Sequence, residues 1–188
     1  MCPLPDGRGS VVIGSVAGLC LACFASAQAP LPRFEDYPVT KIFDGTPAAP
    51  ILATAEERLF RTRIREGVAK GLGVTRDGQE QPGPNFAGHY IIVEWQCGSP
   101  CGMMAMVDAV SGKVYGLPLS KGLRLPDIGP GDPGECAQWG YATVEFRQNS
   151  RLITVTANPQ WKKGGNYKHF FLWEGDRWRF LMRVPSCA

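Results

Sequence analysis

This sequence predicts an α+β fold: a single domain with one N-terminal helix packed on an antiparallel sheet of about seven short hairpin-connected strands. Three observations carry that prediction. A capped amphipathic helical pattern stands near the start of the globular region. From residue 89 onward, short β-branched and aromatic runs alternate with turn signals. The chain also holds 23 Gly and 16 Pro in 188 residues, which favours short strands and many turns over long helices.

The helix is expected over residues 54–71. Thr54 is an N-cap residue, Glu57 three positions on completes a capping box, and Gly71 is a fitting stop. Phe60, Ile64 and Val68 recur at helical spacing with Leu59 beside them, which makes one apolar stripe. Arg58, Arg61, Arg65 and Lys70 fall mostly off that stripe and read as a solvated face. A polar, Gly-rich connector follows to residue 83.

The strands come in order. Residues 89–97 and 103–108 are joined by Cys-Gly-Ser-Pro-Cys-Gly and form an antiparallel hairpin. A turn at 108–113 leads to a short strand at 114–118. The Pro-Asp-Ile-Gly-Pro-Gly-Asp-Pro-Gly run makes residues 119–138 a long irregular loop. Residues 141–147 and 152–156 flank an Asn149-Ser150 turn, and residues 169–173 and 178–184 flank Glu174-Gly175-Asp176-Arg177.

Ahead of the domain, residues 1–27 read as a cleaved signal peptide. An apolar stretch over 11–24 ends in Ala25-Ser26-Ala27, the small-x-small pattern that a signal peptidase needs. The stretch falls short of the roughly 20 residues of a membrane span, so no transmembrane segment is expected. Leu21-Ala22-Cys23 supplies a competing lipoprotein site, with a lipid anchor at Cys23. Residues 28–53 form an extended Pro/Ala-rich arm, and residues 54–188 the domain. A formal net charge of +3, dispersed along the chain, argues against nucleic acid as a partner.

Three of the seven cysteines lie in the signal region, which leaves Cys97, Cys101, Cys136 and Cys187. An even number in an exported chain reads as two disulfides. Three connectivities exist, and we favour Cys97–Cys101 with Cys136–Cys187. The C-x₃-C pair joins two strands instead of opening a helix, so it suits a staple better than a redox dithiol. The first pair has ligand-like spacing, but no second close pair exists, so neither zinc nor another metal or cofactor is expected.

Candidate chemistry gathers in Asn85-Phe86-Ala87-Gly88-His89-Tyr90, a turn entering a strand. His89, Ile91, Val93, Trp95 and Cys97 share one strand face, mostly apolar; Tyr90, Ile92, Glu94 and Gln96 share the other. His89 then sits at the edge of a buried face, bonded to backbone or to Asn85, and acid–base chemistry with Asn85 or Glu94 is the alternative. His169, in an aromatic strand, reads as packing. Asp108 is one of six carboxylates (with Glu94, Asp127, Asp132, Glu135 and Glu145) that nothing singles out. Trp173 and Trp178 read as core, and Trp161 as a surface aromatic.

These residues resemble a group of small exported bacterial proteins of unknown function. The likeness rests on Asn85–Tyr90, on Trp95-Gln96-Cys97-Gly98-Ser99-Pro100-Cys101, and on Val107-Asp108-Ala109 with Ser111-Gly112-Lys113-Val114-Tyr115. Ser150-Arg151-Leu152 and Phe171-Leu172-Trp173 extend it, so that it covers roughly residues 55–182. The group implies no activity, and Cys136 and Cys187 match no position of its pattern.

The expectation is therefore a periplasmic or secreted, non-enzymatic domain that binds or inhibits an envelope or extracellular protein. Its binding residues would be Asn85, His89, Gly98, Ser99 and Pro100. A thiol–disulfide protein using Cys97 and Cys101 is a further alternative.

Overall fold

The computed structural model describes residues 30–70, 83–98, 101–128, 140–158 and 166–186. Two compact units divide the chain, Met1–Leu31 and Pro32–Ala188. The expected signal peptide and Cys23 fall outside the described residues, as do Ser99, Pro100, Cys136, Trp161 and Cys187. Every element below belongs to the second unit.

A 3-10 turn at Phe34–Asp36 is followed by two helical segments, α1 (Ala55–Leu59) and α2 (Arg61–Lys70). Nine strands follow among the described residues: β1 (Tyr90–Gly98), β2 (Cys101–Asp108), β3 (Val114–Tyr115), β4 (Asp127–Ile128), β5 (Gly140–Tyr141), β6 (Thr143–Phe146), β7 (Leu152–Ala157), β8 (Tyr167–Trp173) and β9 (Trp178–Pro185). The expected capping box is present: Thr54 Oγ1 accepts from Glu57 N–H, and the Glu57 carboxylate accepts from Thr54 N–H. The helix is interrupted at Phe60 instead of running unbroken. Ile64 and Val68 are buried and Phe60 partly so, while Leu59 is 71 % exposed. Leu59 lies one residue, or about 100°, around the helix from Phe60, which takes it off the buried stripe.

The expected single sheet is not what forms. Every strand pairing is antiparallel, but the order is β1-β2-β3 in one sheet, β4-β5 in a small ribbon and β6-β7-β8-β9 in another sheet. The reason lies in β1 and β2, where both side-chain faces are apolar. Ile91, Val93, Trp95, Met103, Ala105 and Val107 pack with Ile64 and Val68 of α2. Tyr90, Ile92, Met104 and Met106, on the opposite face, pack with Ile153, Val155, Ala157, Phe171 and Trp173 of the four-stranded sheet. A sheet apolar on both sides needs cover on both sides, so the later strands stack against it instead of extending it. The layers run helix, sheet, sheet, with one core between each pair.

Two expected irregular regions carry structure. Within 119–138, Leu123 and Leu125 are buried, Leu125 N–H donates to Gly102 O, and Met104 N–H donates to Leu123 O, so residues 123–125 lie along β2 as a fringe, while residues 129–138 fall outside the described residues. The arm carries the Phe34–Asp36 3-10 turn and is strapped to the domain by backbone bonds from Val39, Phe43, Ala48 and Ile51 to Asn149, Gly88, Ala109 and Gly112.

Candidate binding site

The Asn85–Tyr90 turn is where the arm, the two main sheets and the β6–β7 turn meet. The Asn85 side chain is a clamp. Its Nδ2 donates to Ile92 O at 2.9 Å and its Oδ1 accepts from Ile92 N–H at 2.8 Å, both buried. A buried two-point bond of this kind contributes about 1–3 kcal/mol, chiefly because losing it would strand two buried backbone groups. Phe86 is fully buried, and its N–H and O both bond to Tyr90. Ala87 (φ 43°) and Gly88 (φ 81°) both occupy the left-handed region, and their N–H groups donate to Ser150 O and Gln148 O. A side chain on Gly88 would start 2.4 Å from Lys41 O, so the arm passes where only glycine fits.

His89 is the member of this turn whose side chain the fold does not consume. It precedes β1, its ring lies 4.2 Å from that of Tyr90, and Nε2 is 3.9 Å from Asp108 Oδ1. Its side chain is 39 % exposed, against 14 % for Asp108. The two partners that the sequence suggests for it are elsewhere: the Asn85 amide is held by Ile92, and Glu94 stands five strand residues away, about 16 Å. The carboxylate that reaches it, Asp108, is itself held by Val110 N–H and Ser111 Oγ.

Behind His89 runs a seam of aromatic rings. Tyr90 meets Trp173 at 5.4 Å, Tyr115 meets Trp173 at 5.0 Å, and Trp173 meets Trp178 at 4.6 Å. Lys113 Nζ lies 4.7 Å from the Tyr115 ring centroid, at the solvent side. The Tyr90 hydroxyl donates to Gly175 O, and burial raises its pKa. The nearby Trp173 N–H pulls that pKa the other way. Trp178, expected in the core, is half-buried, and its Nε1–H donates to Gly116 O, pinning one sheet to the other. These rings are packing, and their polar tips join the two sheets.

The second feature is the end of the β1–β2 hairpin. Cys97 and Cys101 form the expected disulfide, with Cα atoms 5.1 Å apart. Burial falls along β1 from a fully buried base to three exposed residues, Gln96, Cys97 and Gly98. Cys101 still packs against the helix-side core. The hairpin therefore has a root gripped on both faces and an end exposed along β1, with Cys101 keeping one side of that end against the helix-side core.

The structure thus separates the sequence-expected site into two places. Asn85 and His89 lie at the root, where Asn85 is structural; Gly98 lies at the tip, about 30 Å along the strand. The sequence singles out neither Asp108, which reaches His89, nor Tyr115 and Lys113, which follow beyond Tyr90. The signal was available: with Cys97 facing Cys101, counting back along the hairpin sets Tyr90 opposite Asp108, the register observed. No family model, curated protein or solved structure matches this chain. Among the described residues no helix is long and apolar enough to cross a membrane.

Proposed function

We propose that this is an exported, non-enzymatic binding domain of the bacterial envelope that presents the disulfide-closed end of the β1–β2 hairpin to a protein partner. The observation that carries this reading is the burial gradient along β1, from a base buried on both faces to an exposed tip. A cross-linked loop on such a root loses little conformational freedom on docking, which is how pre-organised inhibitor and recognition loops gain affinity. The disulfide fits an oxidising compartment.

A photo-crosslinking amino acid at Gln96 tests it, with the same group at the exposed Arg65 of α2 as reference. We expect a discrete adduct with one envelope protein from position 96 and none from position 65. A Cys97→Ser/Cys101→Ser variant should keep the fold, because the β1–β2 ladder holds the register without the bond, yet give a weaker adduct. Identical adducts from both positions, or none from position 96, would sink the proposal.

A further inference from the structure

The four-stranded sheet ends in β9, and this strand carries a second surface. Among the described residues its pairing is with β8 alone. None of its eight residues is buried, although Trp178, Phe180, Leu181, Met182 and Val184 are large and apolar. Phe180 is 53 % exposed.

Edge strands are usually defended by charges and bulges, and β9 has both. Their placement, however, makes the strand match itself. Phe180 lies opposite Phe171 and Met182 opposite Phe170, so Leu181 is the extra residue of a bulge. Trp178 and Phe180 share the side of Trp173 and Phe171, Arg183 shares the side of His169, and Arg179 and Met182 share the opposite side with Leu172 and Phe170. Read inward from Trp178 and from Arg183, the first two positions take the same two sides in the same order, and the bulge residue Leu181 follows Met182 as Phe180 follows Arg179.

We propose that β9 pairs antiparallel with β9 of a second copy of this chain, about a two-fold axis between Phe180 and Leu181. This register sets Phe180 opposite Leu181, Arg179 opposite Met182, and Trp178 opposite Arg183 of the second copy. Apolar meets apolar at the axis, each arginine faces an apolar or aromatic side chain, and no arginine faces another. Moving the axis onto Leu181 would put Arg179 against Arg183, a like-charge pair that destabilises a ladder. Self-pairing also covers the exposed apolar residues and closes the open edge, as isologous interfaces do. Because β9 lies on the other sheet from the hairpin tip, this inference stands apart from the proposed function.

Sedimentation equilibrium of the purified oxidised protein tests it. The wild type should show a reversible monomer–dimer equilibrium. Phe180→Asp should weaken the dimer by about tenfold or more, since it places a carboxylate beside the axis. Met182→Glu should tighten it by roughly threefold, because each copy then sets a carboxylate opposite Arg179 of the other. Far-UV circular dichroism should show both variants folded. A wild type that stays monomeric to its solubility limit, or a dimer unaffected by Phe180→Asp, overturns the interface; weakening by Met182→Glu overturns the register.

Discussion

His169 shows how a single residue records the packing around it. Its ring is 4 % exposed on β8, its Nδ1–H donates to Val155 O at 3.2 Å, and Phe171 stacks beside it. Burial is the main cause that holds its pKa below the usual 6.5, with the charge of Arg183 acting in the same direction; the Val155 and Tyr167 backbone oppose both. Between the folded and unfolded pKa values the unfolded chain binds more protons, so stability rises with pH there. The contribution is complete above about pH 6.5 and is lost as pH falls through the folded value. Melting temperature should therefore drop between about pH 7 and pH 5, and His169→Phe should flatten that slope. An unchanged slope in the variant would assign the pH dependence elsewhere. The sequence reading of His169 as packing needed only its aromatic neighbours. His89 was harder, because the residue that reaches it, Asp108, is remote in sequence and is brought there by hairpin register.

Helix α2 illustrates the scale of the element. Gly67 faces β1 so closely that a Cβ placed on it would lie 2.0 Å from Val93 Cγ1 and 2.9 Å from Val93 Cβ. Gly67→Ala raises helix propensity by about 1 kcal/mol, but it drives a methyl into a stiff, buried β-branched side chain. Overpacking of this kind costs about 1–3 kcal/mol, so the clash should win. Chemical denaturation should show Gly67→Ala less stable than wild type, and Gly67→Ala/Val93→Ala should be less damaging than the two single changes summed. Additivity of the two would mean that the close approach is not what the glycine serves. The helix itself was legible, since Thr54, Glu57, Ile64 and Val68 all behave as their spacing implies. The requirement for a small residue at position 67 was not, because it depends on which strand the helix meets.

At the scale of the whole molecule, the arm binds the layers together. Val39 packs on the core between the sheets, while Phe43 and Leu52 pack on the core under the helix. Between them the backbone bonds to Gly88, Ala109 and Gly112 carry the arm across the domain. Removing a partly buried ring from this strap should cost about 1–3 kcal/mol. For a chain of this size each kcal/mol lowers the melting temperature by about 2–4 °C. Calorimetry of Phe43→Ala should therefore show one transition at a lower temperature. An unshifted transition would mean that the Phe43 ring adds nothing to the strap.

Local chemistry was written in the sequence. The capping box, the Asn-Phe-Ala-Gly turn, the C-x₃-C staple and most of the hairpins depend on neighbours within a few residues, and they form as their residue types require. The division into two main sheets, the strapping of the arm, the meeting of His89 with Asp108 and the outward edge of β9 depend on contacts between residues far apart in sequence. Period-two alternation places side chains on two faces but does not say what covers each face. In β1 and β2 both faces are apolar, and that turned an expected single sheet into a layered stack. Caps, turns and most of the strands follow from the sequence because those energies are local, whereas which faces meet follows from the fold, because burial is shared between partners that no short window of sequence contains.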